Sequence, residues 1–105
     1  MSYYVGQELY CHEVHPKVRR AFTKGKIYVV ENVGIKHDEV VPFKVPDDAI
    51  WTETDVNDGG TRFTTKDIAD ATFIPLDLFD DQDVFEYKLS GEMSSAAIIR
   101  ALLKT

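Results

Sequence analysis

The sequence is poor in the features that mark a chemistry or a compartment. It holds one cysteine, Cys11, so no disulfide closes within the chain and stability must come from packing, which suits a reducing cytoplasm. No apolar run approaches the roughly 20 residues needed to cross a bilayer, so no membrane partner is expected. Met1 to Gly6 carry neither a basic segment nor an apolar stretch, which argues against a secretory signal and for a cytoplasmic protein. No Gly-rich phosphate loop is present: Asp58-Gly59-Gly60 lacks the lysine of a P-loop and reads as a turn. Asp77, Asp80, Asp81 and Asp83 lack the glycine and distal glutamate of a calcium loop.

Metal-ligand types cluster only at Cys11, His12 and His15, with His37 as a distant fourth. A tetrahedral zinc site draws four ligands from paired spacings, and in a strand His12 points opposite Cys11. A Cys-His nucleophile pair would need a third group to orient the base, and nothing marks one. The expectation is a protein without metal, cofactor or catalytic residues, and with Cys11 packed as a small hydrophobe.

What is present is one domain's worth of chain, 105 residues, with a polarised charge. Residues 1–44 carry seven basic and five acidic side chains, a net +2, whereas residues 45–105 carry five and thirteen, a net −8. That asymmetry orients partners without dictating fold.

Short strand patterns run from residue 7 to 76. Gln7 to Val14 alternates, and Lys26 to Val33 does so most clearly, with Ile27, Val29 and Val33 on one face and Tyr28 and Val30 on the other. Val40 to Val45 is a third strand, confined to an edge or a bulge by Pro42. Ile50 to Val56, the turn Asn57-Asp58-Gly59-Gly60 and Thr61 to Thr64 form a hairpin, because Asn, Asp and Gly tolerate the positive φ of tight turns. Thr65 to Ala69 predicts one helical turn with Thr65 as N-cap, and Ala71 to Leu76 a closing strand ended at Pro75. Ile27, Val29, Trp51, Phe63 and Phe73 are the expected core.

In their order along the chain, Val5-Gly6, Phe22-Thr23-Lys24-Gly25-Lys26-Ile27-Tyr28-Val29-Val30, Asn57-Asp58-Gly59-Gly60 and Ala71-Thr72-Phe73-Ile74-Pro75-Leu76 resemble the small SH3-like barrel proteins encoded by tailed bacteriophages. The resemblance covers residues 5–76. It implies a mainly β fold, a small barrel of five to six short antiparallel strands over residues 1–76, and a viral origin, and it brings no catalytic mechanism. Residues 77–105 lie outside it and read as an acidic-aromatic segment followed by an amphipathic C-terminal helix, Met93 to Lys104, packed on the same domain or on a partner.

Three surfaces follow from these patterns. Phe79, Asp80, Asp81, Asp83, Phe85 and Tyr87 interleave aromatic anchors with carboxylates and suit a host or phage protein partner. Ile98, Ile99, Leu102 and Leu103 share one helical face and suit self-association as a homodimer. Lys17, Arg19, Arg20, Lys24 and Lys26 flank Phe22 and suit nucleic acid, the alternative to a protein partner. The expected function is that of a non-enzymatic binding protein.

Overall fold

The computed structural model describes residues 2–34, 44–56 and 61–105. Along the chain lie β1 (Glu8–Cys11), β2 (Ile27–Val29), β3 (Asn32–Val33), β4 (Ile50–Glu53), β5 (Thr61–Thr64), α1 (Lys66–Thr72), β6 (Phe73–Pro75), α2 (Asp81–Ser90) and α3 (Ser95–Leu102), with 3-10 turns at Pro16–Val18 and Leu76–Leu78. All pairings are antiparallel. β1 is central to one sheet, ordered β2-β1-β6, with Leu9 opposite Tyr28 on one side and Pro75 on the other. β4 is central to the second, ordered β3-β4-β5, with Trp51 opposite Asn32 and Phe63.

The mainly β expectation is corrected to a mixed architecture. Helices of seven, ten and eight residues outweigh strands of two to four. The strands are shorter than their sequence alternation because the ladders break where the chain turns from one sheet to the other. The expected single strand from Lys26 to Val33 is such a case. The Val30 N–H donates to the Gln7 carbonyl (2.9 Å) in the first sheet, and the next N–H, Glu31, donates to Trp51 (2.8 Å) in the second. A bend at Val30-Glu31 thus carries one strand across both sheets. Among the described residues the six strands form two sheets, not one closed ladder.

Period-two alternation in β1 and β6 makes the first sheet apolar on both faces. One face carries Leu9, Cys11, Tyr28 and Phe73, which pack with Phe22, Val30, Ile50 and Ala69 against the second sheet and α1. The other carries Tyr10 and Ile74, covered by Leu76, Phe79, Met93, Ala97 and Ala101 from the C-terminal segment. The molecule therefore stacks three layers: second sheet, first sheet, helices.

This layering corrects the expected core in β2. Ile27 is half-buried against the helical layer and Val29, on the same face, is 45% exposed. Tyr28 and Val30 are the buried pair. Trp51 and Phe73 are buried, as expected, whereas Phe63 is only half-buried.

Of the expected elements, Val40 to Val45 lies mostly outside the described residues, as does the Asn57 to Gly60 turn, although the β4–β5 register is that of a hairpin. The expected turn after Thr65 is a longer helix, with Thr65 at its N-cap. Residues 77–92, read only as acidic and aromatic, contain α2. Gly91 ends that helix with φ 77°, and its N–H donates to the Tyr87 carbonyl (2.7 Å), a left-handed cap that glycine adopts without steric cost. Gly34 is required for space as well. Its φ is +76°, and a Cβ there would lie 2.8 Å from the Asp47 carbonyl oxygen.

Candidate functional site

Three surfaces carry the residues singled out by sequence. The acidic-aromatic segment is the most altered by folding. Phe79 is buried, in edge contact with Tyr10 (5.7 Å between ring centres). Tyr87 sets its ring edge-on to Tyr10 as well, and its hydroxyl donates to the Gly25 carbonyl (2.7 Å), fastening α2 to the turn before β2. Asp83 receives the Arg100 guanidinium at 2.8 Å, and Asp80 meets Arg100 Nε (3.6 Å) and Lys104 Nζ (3.1 Å). Those carboxylates raise the Arg100 pKa, the Asp83 hydrogen bond contributing most. Four of the six expected contact residues therefore hold the helical layer together. Asp81 and Phe85 remain outward-facing, Phe85 at 58% exposure.

The C-terminal helix is rotated relative to the packing its large side chains suggest. Ala97 and Ala101, four residues apart, are buried against the first sheet, with Met93 beside them. Ile99 and Leu103, two residues further round and also four apart, lie on the opposite side of the helix. They are 59% and 82% exposed. Leu102 is exposed too, whereas Ile98 is half-buried. The same arrangement recurs in α2: Val84 and Tyr87 pack inward, while Phe85 and Leu89, four apart, face out, Leu89 at 74% exposure. Small residues of α3 thus pack inside, and both helices leave large apolar side chains on their exterior.

The basic set divides in two. Lys17, Arg19 and Arg20 line a cleft of about 430 Å³ between the Pro16 to Ala21 loop and the β4–β5 ribbon, with Thr54, Val56, Arg62, Phe63 and Thr64 on its other wall. Lys24 and Lys26 line a separate groove with Gly91, Glu92 and Met93. Lys26 is further engaged by Asp55 (3.4 Å). That carboxylate also receives the Thr23 and Tyr28 hydroxyls, while the Thr23 N–H donates to the Tyr28 oxygen (2.8 Å). Burial alone would raise the Asp55 pKa; the hydrogen bonds from Thr23 and Tyr28 and the charge of Lys26 outweigh it and leave it below its ordinary value. Tyr28 is pushed up to about 12, by burial first and then by Asp55.

Cys11 is wholly buried, and its thiol is pushed up to about 11, chiefly by burial with Asp55 adding to it. A thiol in that state is protonated near neutral pH and inert as a nucleophile. His12 is lowered, by burial above all. His15 accepts the Lys17 N–H on Nδ1 (3.1 Å), capping the 3-10 turn. His37 lies outside the described residues, and among those described no three His, Cys, Asp or Glu side chains converge as a metal set. Among the same residues no helix is long and apolar enough to cross a membrane.

Sequence reasoning missed Leu89, Arg62 and Phe63 as surface-forming residues. Leu89 was legible as the residue four after Phe85; Arg62 and Phe63 come to the basic loop only through the β4–β5 pairing. Comparison with known proteins finds no matching family model, no matching curated protein and no matching solved structure.

Proposed function

We propose that this chain is a non-enzymatic binding protein that docks a protein partner on the outer face of α2 and α3. One observation carries the reading: Phe85, Leu89, Ile99, Leu102 and Leu103 are exposed while Ala97 and Ala101 of the same layer are buried. Packing alone would favour the reverse, since each large apolar side chain left in water forgoes roughly 1.5–3 kcal/mol of burial. A concentration of such side chains on one helical layer is the usual mark of an interaction surface. Asp81 and Glu86 are exposed on α2 beside this apolar face, so a partner with an apolar patch and a basic rim fits best.

The strand core supports a second level of the same reading. Short antiparallel strands, and a bent strand shared between two sheets, are compatible with an SH3-like core on which the helices form an added layer. On that reading the chain belongs beside the phage-encoded proteins its strand order resembles, and the partner is a host or phage protein.

The test is affinity capture from the source cells with the wild-type chain and with Ile99→Asp/Leu103→Asp, alongside sedimentation of both. A protein held by the wild type and released by the double variant is the expected result. A wild-type homodimer converted to monomer would assign the face to self-association instead. Capture indifferent to the substitutions, or a monomer that captures nothing, removes the proposal.

A further inference from the structure

We infer that the cleft between the Pro16 to Ala21 loop and the β4–β5 ribbon binds single-stranded nucleic acid, with one base in the cleft and the flanking phosphates on Lys17, Arg19 and Arg20. The inference concerns a surface separate from the helical face and does not depend on the reading given to that face.

The electrostatics come first. The chain carries a net charge of −6, yet among the described residues that line the cleft Lys17, Arg19, Arg20 and Arg62 are cationic and none carries a carboxylate. Asp55 lies in sequence between two lining residues, Thr54 and Val56, but its carboxylate is directed to Thr23, Tyr28 and Lys26. Among the described residues Lys17, Arg19 and Arg20 form no ion pair, whereas Lys26 is occupied by Asp55 and Lys66 by Asp70.

The cations are also carried on a fixed backbone. Val18 N–H donates to His15 (2.9 Å), Ala21 N–H to Val18 (2.9 Å), and Asp55 N–H to the Ala21 carbonyl (2.8 Å), which ties the loop to the opposite wall. A site held open in this way loses little entropy when a ligand enters.

Shape and lining then select the ligand. A volume of about 430 Å³ falls within the range of small-molecule sites and accommodates one nucleobase with its sugar. Phe63 on the wall is half-buried and braced by Trp51, 5.4 Å between ring centres, so it offers a fixed ring for a base to stack on. Aromatic platforms beside cations tracking a backbone are the two components of sequence-tolerant single-strand binding. An acidic peptide would use the cations and leave the ring and the concavity idle; a duplex keeps its bases stacked and cannot enter.

Fluorescence anisotropy with a labelled twelve-residue oligothymidylate tests this. Three phosphate contacts on a single strand predict a logarithmic salt slope near −2, so affinity should fall about 20-fold between about 50 and 200 mM salt. Arg19→Gln/Arg20→Gln, both at exposed positions, should reduce that fall to about threefold. Phe63→Leu should weaken binding about fivefold or more while leaving the salt slope unchanged. Circular dichroism establishes that each variant is folded, and the arginine variant decides the matter if Phe63→Leu is not. Absence of binding at the lower salt, or an unchanged slope in the arginine variant, overturns the proposal. So does competition by polyglutamate, by a duplex of the same length or by thymidine monophosphate as effective as that of the oligonucleotide.

Discussion

At the scale of single residues, Asp55 does the most with least burial. It gathers Thr23, Tyr28 and Lys26 from the segment that leads into and forms β2, and so fixes the end of the basic loop. Hydrogen bonds to a charged group contribute more than neutral ones, so Asp55→Asn should cost about 1–2 kcal/mol, or roughly 4–15 °C in Tm by thermal denaturation at neutral pH. The sign of the pH dependence follows from the lowered pKa. The stabilisation is complete above the unfolded-state value, near the ordinary 3.8, and is lost as pH falls through the lower folded value. The gap between wild type and Asp55→Asn should therefore close in acid below about pH 4 and stay constant above pH 5; a gap that widens in acid would refute the assignment. None of this was legible in sequence, because Asp55 and Tyr28 lie 27 residues apart. The same separation explains the error at Val29. Alternation along β2 defines two faces but not which is covered, and a tyrosine reads as the outward one until a distant carboxylate satisfies its hydroxyl.

At the scale of elements, the C-terminal helix was legible in position, while the face it turns to the sheet was left open between the same domain and a partner. Its apolar periodicity placed it within two residues, and the structure adds the cap Ser94, whose side chain accepts the Ala97 N–H (3.1 Å). Size tracks burial on average, which would turn the large residues toward the sheet. Here close approach to Tyr10 and Ile74 selects alanine instead. Two substitutions separate these alternatives. Ala101→Leu should cost about 1–3 kcal/mol by overpacking. Leu103→Ser should change stability by no more than about 0.5 kcal/mol, because the side chain already faces water. Urea denaturation of both checks the rotation, and the reverse order of effects would show that the large residues are the packed ones. The hairpin was legible as a pairing of neighbouring strands but not in its register: a turn confined to Asn57 to Gly60 would set Val56 opposite Thr61, where Glu53 stands instead.

At the scale of the whole molecule, residues 77–105 take one of the two places expected for them, packed on the same domain, where they cover one face of the first sheet. Removing residues 77–105 would expose Tyr10 and Ile74 and half-expose Ile27 further. At roughly 1.5–3 kcal/mol for each large side chain, that loss is comparable with the 5–15 kcal/mol by which domains of this kind are stable. A chain ending at Leu76 should show no cooperative thermal transition by circular dichroism, whereas a folded fragment would restore the idea of a self-sufficient strand core. The charge asymmetry read from composition survives in space in a modified form. Part of the acidic excess is spent inside the helical layer on Arg100 and Lys104, and the basic residues of the first half are split between a cleft and a groove.

The place of β1 has a consequence for synthesis. It is the middle strand of its sheet, yet it is made first, and one neighbour, β6, begins 62 residues after β1 ends, at Phe73 against Cys11. As the nascent chain emerges, Leu9, Tyr10 and Cys11 must wait beside β2 alone until Phe73 to Pro75 clears the ribosome, so closure is late and ordered by translation itself.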